Sequence, residues 1–165
     1  WEASRPNLSS VKKNKYSTTK KEVPCFSLNT FLQDRRYPNF IKMDVEGHEV
    51  KIFEGGLDYF TKNEGHTNIL LEVHPNTYDK DNDFEKILRE YFKLGFNSKW
   101  AIATPIPQPA LFKMAGYEPV RTIQTDGFHR GVYNNISNDH LAKFACHEHL
   151  DSGSRKIVRS FMISR

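Results

Sequence analysis

Phe40-Ile41-Lys42-Met43-Asp44-Val45-Glu46-Gly47-His48-Glu49 decides the fold, because an apolar, strand-like run passes directly into three carboxylates and a glycine. A largely apolar run of this length suits a buried strand of a parallel sheet. From Glu49 the apolar residues Val50, Phe53, Leu57 and Phe60 follow at helical spacing, interrupted only by Gly55-Gly56, and predict a helix over 49–63. Asn68-Ile69-Leu70-Leu71-Glu72-Val73 is a second strand-like run, closed by His74-Pro75. Strand, helix, strand implies a right-handed crossover with residues 40–45 and 68–73 as parallel neighbours. Ligands of an open parallel sheet collect beyond the carboxyl ends of its strands, so Asp44, Glu46, Glu72 and His74 are expected to converge at one rim. Asp44 and Glu49 also have a simpler reading, as carboxylates accepting hydrogen bonds from free amides at the helix N-terminus.

Outward from this unit, Val23-Pro24-Cys25-Phe26 looks extended, and Ser27 can cap a short helix carrying Leu28, Phe31 and Leu32. Asp83 can cap a third helix with Phe84, Ile87, Leu88, Tyr91 and Phe92 along one side and Gly95 at its end. The pattern then weakens to a strand over 99–104, a turn-rich 105–109, a short helix over 109–115, a strand over 120–125, a last extended run at Gly131-Val132-Tyr133 and a helix over 139–149. The two last extended runs suit an antiparallel hairpin. Asp126-Gly127-Phe128-His129-Arg130-Gly131 lies between them and precedes no helix, so it reads as a turn rather than a cofactor loop. Residues 1–21, rich in Ser, Thr, Asn and Lys, read as a loop or disordered segment, 22–150 as one domain, and 151–165 as a tail despite Ile157, Val158, Phe161 and Ile163.

Composition narrows the function classes. The net charge of +4 divides into +5 over residues 1–21, +3 over 151–165 and −4 over 22–150, so the basic ends read as solvated segments and nucleic acid is not an expected partner. Neither an apolar run of membrane-spanning length nor a signal-peptide core is present, and a soluble cytoplasmic protein is the expectation. Cys25 and Cys146 form no metal or disulfide motif and read as reduced, partly buried thiols. Zinc is not expected either, since His48-Glu49-Val50-Lys51-Ile52 lacks the second histidine of a zinc-protease helix.

The central stretch closely resembles the signature of FkbM-type methyltransferases, an apolar strand ending in Lys-x-Asp-x-Glu-Gly-x-Glu before a helix. Lys42, Asp44, Glu46, Gly47 and Glu49 fill every fixed position. Ser27-Leu28-Asn29, where the family usually has Asp at the position of Asn29, Phe53-Glu54-Gly55-Gly56 and Ile69-Leu70-Leu71-Glu72-Val73-His74 are similar to its flanks, so the resemblance covers about residues 22–75. It implies an α/β, partial Rossmann-like methyltransferase fold: a mainly parallel sheet with helices on its faces and an antiparallel C-terminal strand. It also implies methyl transfer from S-adenosylmethionine to an acceptor nucleophile, most often an oxygen, here of a small molecule or saccharide. Asp44, Glu46 and His74 are then the catalytic candidates, Asp44, Glu46 and Gly47 the cofactor-binding ones, and Glu72 and His74 the acceptor-binding ones, with no metal. The fold's glycine-rich turn and ribose-binding acid do not precede Phe40, and the chain opens on Trp1 with Met43 as its first methionine. It therefore reads as the C-terminal part of such an enzyme, one that binds the cofactor weakly by itself. Two other readings stand beside this one: a non-catalytic remnant or binding module of the same fold, and a metal-dependent glycosyltransferase using Asp44-x-Glu46.

Overall fold

The computed structural model describes residues 23–104, 109–149 and 156–165. Residues 1–22, where the N-terminal loop is expected, lie outside the described residues, as do 105–108 and 150–155.

The central unit forms as its sequence dictates. Strand β1 (Phe40–Met43) pairs in parallel with β2 (Asn68–Glu72), Phe40 opposite Asn68 and Met43 opposite Leu71, and α2 (Glu49–Lys62) connects them. Before it, α1 (Leu28–Leu32) is capped by the Ser27 hydroxyl, which accepts from the Thr30 amide at 3.1 Å. The helix α3 (Phe84–Lys93) starts where the Asp83 carboxylate accepts from the Lys86 amide, and it ends before Gly95, whose φ of +92° needs a glycine. Strand β3 (Asn97–Ala103), α4 (Ala110–Met114), β4 (Arg121–Thr125), β5 (Phe128–Asn134), α5 (Asn138–Cys146) and β6 (Val158–Ser164) complete the described strands and α-helices, with a 3-10 turn at Pro75–Thr77 after β2. Asp126 and Gly127 join β4 to β5 with φ of +52° and +78°, a two-residue hairpin loop with both central residues left-handed. The Asp126–Gly131 stretch is thus the turn its sequence suggests.

Expectations for the C-terminal stretch and for the sheet are overturned. Residues 156–165, expected within a tail over 151–165, are no tail, because β6 lies in the interior of the six-stranded sheet, whose order is β1-β2-β6-β3-β5-β4. Ile157, Val158, Phe161 and Ile163 are fully buried, and Arg165 closes the strand by exchanging backbone hydrogen bonds with Thr67 and donating to the carbonyl of Phe60 and the hydroxyl of Tyr37. The sheet is also not mainly parallel. Only β1 and β2 pair in parallel; β6 runs antiparallel to both β2 and β3, and β5 is antiparallel to β3 and β4. Strands β1, β2 and β3 do share one direction, and β6, inserted between β2 and β3, pairs antiparallel with both.

The alternation of side chains sets where the core lies. Ile69, Leu71, Phe161, Ile163, Ala101 and Tyr133 point into a core shared with Val50, Phe53 and Phe60 of α2, Phe84, Leu88 and Tyr91 of α3, and Leu141 and Phe144 of α5. On the opposite side Lys42, Leu70, Met162 and Trp100 stand across from one another and stay half-buried or exposed. The described helices thus cover one face of the sheet, where helices on both faces were expected.

Helices α3 and α5 are tied together by charge. Arg89 donates to Glu85 and, at 2.9 Å, to Asp139, and His147 lies 2.5 Å from the second Glu85 oxygen. Burial alone would raise the Glu85 carboxyl, but the hydrogen bonds from His147 and Arg89 outweigh it and hold it below the ordinary value of 4.5. A depressed folded-state pKa stabilises the fold above the unfolded value and loses that contribution as pH falls through the folded one. Glu85→Gln is therefore expected to be less stable than the native chain at neutral pH, with the gap closing as pH falls below 4.5. Urea unfolding along a pH series reads this directly. The cysteines differ: Cys25 is exposed, whereas burial pushes the Cys146 thiol well above its usual range. A thiol reagent at mildly alkaline pH is expected to modify Cys25 quickly and Cys146 only once denaturant is added.

Candidate active site

Past Met43 the chain leaves β1 and makes a tight turn in which the His48 amide donates to the Val45 carbonyl at 3.2 Å. Its two central residues are both left-handed, Glu46 at φ +51° and Gly47 at +96°. For Glu46 this conformation costs about 1 kcal/mol, which the surrounding structure supplies. At Gly47 a Cβ would stand 2.6 Å from the Thr77 hydroxyl, so the glycine lets the 3-10 turn Pro75–Thr77 pack against this loop. The close approach foreseen for Gly47 is made by the protein's own chain.

That packing brings the two strand ends together. A ring nitrogen of His74, a carboxylate oxygen of Asp44 and one of Glu72 lie within 4.8 Å of one another. Glu46 joins them, its Oε2 standing 3.5 Å from His74 Nε2, and its side chain is 86% exposed while that of His74 is 13% exposed. Asp44, Glu46, Glu72 and His74 therefore meet at one rim, as their places at the carboxyl ends of β1 and β2 require.

Glu49 has a different place from the helix cap that its position at the start of α2 suggests. Its side chain is fully buried, Oε1 lies 2.6 Å from His74 Nδ1, and among the described residues the amide that reaches it is that of Gly47, at 3.3 Å. A carboxylate can only accept here, so Nδ1 carries the proton and Nε2 is the ring nitrogen directed to the rim. The second oxygen, Oε2, is buried without a hydrogen-bond partner. The His74 backbone is fixed as well, its amide donating to the Tyr78 hydroxyl at 3.1 Å and its carbonyl accepting from Thr77 at 2.7 Å. Burial pushes the Tyr78 phenol far above its usual range, so it stays a neutral hydrogen-bonding group.

Sequence reasoning missed the basic side of the rim. Arg159 of β6 lies 2.9 Å from Glu72 Oε1 and 3.5 Å from Asp126, and Lys156 lies 3.4 Å from that same Glu72 oxygen. Burial lowers the Lys156 ammonium, although Glu72 beside it acts in the opposite sense. The signal was the apolar spacing of Val158, Phe161 and Ile163, which makes the last stretch a strand and carries Lys156 and Arg159 to the end of β2.

No helix among the described residues is long and apolar enough to cross a membrane. No curated protein and no solved structure matches the chain significantly. A family model does: the methyltransferase FkbM domain matches residues 2–98, a span that runs from before α1 into β3 and holds Asp44, Glu46, Glu49, Glu72 and His74 together. A match over more than half of the 165 residues, centred on the strand ends where these side chains converge, shows that the chain belongs to the FkbM methyltransferase family.

Proposed function

We propose that this rim carries out methyl transfer from S-adenosylmethionine to an oxygen of a small-molecule or saccharide acceptor. The observation that supports the reading best is the convergence of Asp44, Glu46, Glu72 and His74 within a family-matched segment. The donor set suits one end of the cofactor, because carboxylates facing a rim favour a sulfonium cation. It does not extend to the other end: among the described residues no strand runs through a glycine-rich turn into a helix, the arrangement that holds the amino-acid and ribose moieties. We therefore assign to this chain the methyl end of the site and expect weak cofactor binding by residues 1–165 alone.

When bound, S-adenosylmethionine supplies an electrophilic methyl carbon whose carbon–sulfur bond breaks, with its electron pair going to sulfur, as the acceptor oxygen bonds to carbon. The residues position and deprotonate. Asp44 at the end of β1 faces the sulfonium end, Glu72 and His74 at the end of β2 hold the acceptor hydroxyl, and Glu46, exposed at the rim, takes its proton. Most of the rate enhancement comes from holding the reacting atoms in line, and the base adds to it. Methyl-labelled S-adenosylmethionine, incubated with the protein and a panel of hydroxyl-bearing small molecules and saccharides, tests the reading. Label in an ether product, lost in Asp44→Asn, is the expected result. Cofactor and acceptor binding without any transfer would indicate a binding module instead.

A further inference from the structure

We propose that Asp44, Glu72 and His74 form a binding site for one first-row divalent cation, of the Mn2+ or Zn2+ type. Three donors of the required chemistry come from two adjacent strand ends and lie within 4.8 Å of one another. Ligand atoms bonded to one ion at about 2.1 Å stand roughly 3 to 4.2 Å apart, so a small rotation of the exposed Asp44 side chain closes the set.

Two further observations point to a cation. The histidine is prepared for ligation: the buried Glu49 carboxylate holds Nδ1 at 2.6 Å and leaves Nε2 at the rim, the carboxylate–histidine arrangement that orients metal-bound imidazoles. The charge is also only partly compensated. Lys156 and Arg159 both contact Glu72 Oε1, but among the described residues no lysine or arginine pairs with Asp44, Glu46 or Glu49. Glu49 is fully buried and its Oε2 accepts no hydrogen bond, although Tyr78 and Lys156 stand close enough to act on its charge. Buried charge of this kind is costly unless positive charge stands close by, and an ion on Nε2 would add to that of Lys156 from one imidazole away. The mixed donor set narrows the ion: the imidazole suits zinc, the two carboxylates suit manganese, and calcium and magnesium, which are bound through oxygen, gain nothing from the imidazole.

The site itself rests on donor geometry; only its use rests on the methyl-transfer reading. There the ion would bind the acceptor oxygen, so that His74 meets the acceptor through the ion and Glu46 remains the base. Mn2+ titrated into the chain, with free Mn2+ followed by electron paramagnetic resonance, is the test. One saturable site per chain is expected. Binding should be lost in His74→Ala, weakened at least about tenfold in Asp44→Asn and by about 10- to 100-fold in Glu49→Gln. Zn2+ should displace the ion and excess Ca2+ should not. Circular dichroism verifies that each variant is folded, and Asp44→Asn, altered at an exposed position, keeps the test decisive if a buried variant unfolds. Absence of saturable binding at millimolar Mn2+, or equal binding by the native chain and Asp44→Asn, overturns the proposal. Because ion binding is read without methyl transfer, either result leaves the methyltransferase reading to its own test.

Discussion

Truncation after Lys156 is expected to abolish cooperative folding. The nine residues removed include β6, which lies between β2 and β3 and pairs with both, so its loss separates the β1–β2 pair from the β3–β5–β4 meander. It also removes the buried side chains of Ile157, Val158, Phe161 and Ile163, and the Arg165 contacts to Phe60 and Tyr37. Each fully buried large apolar side chain is worth about 1.5–3 kcal/mol, and a domain is stable by only about 5–15 kcal/mol in total. Phe161→Ala is the milder version: its ring stacks 6.4 Å from that of Phe84, and its removal should cost about 3–5 kcal/mol. Thermal unfolding followed by circular dichroism reads both. A truncated chain with a native-like cooperative transition would show that β6 is dispensable.

The second large effect is on catalysis. Glu46→Gln removes the proposed base, and methyl transfer should fall by about 10²- to 10⁴-fold. Asp44→Asn is expected to lower it as strongly by withdrawing the charge beside the sulfonium end. Both side chains are exposed and carry no packing load, so unfolding midpoints should move little. Rate and stability measured on the same preparations separate a chemical role from a structural one. A Glu46→Gln protein with the native rate would transfer the role of base to another group, with His74, 3.5 Å from Glu46, the first candidate.

Much of the site was legible because it depends on local pattern. An apolar run that ends in Asp44 and Glu46, a helix of period 3.6 and a second run that ends in Glu72 and His74 place four side chains at one rim through the crossover rule alone. What was not legible depends on contacts between distant residues. The fit of Glu49 against His74 across 25 positions requires the turn at Glu46-Gly47 and the packing of Thr77, and neither shows as a periodicity. The strand β6 was hidden for a similar reason. Arg159 and Ser160 interrupt its apolar residues, and its partners, residues 68–72 and 97–103, lie far back in the chain. With β6 unseen, the sheet was expected to be mainly parallel, and Lys156 and Arg159 were left out of the site.

The central claim, that the ends of β1 and β2 bind the methyl end of S-adenosylmethionine, is tested most directly by nuclear magnetic resonance of the isotopically labelled chain during titration with S-adenosylhomocysteine, a method that registers even weak binding. The expected result is a set of saturable shifts confined to Asp44 through Glu49, Glu72 through His74 and the neighbouring β6 residues, attenuated in Asp44→Asn. Shifts confined to the α3–α5 side around Glu85 and His147, or no shifts at all at the highest soluble concentration, would contradict it.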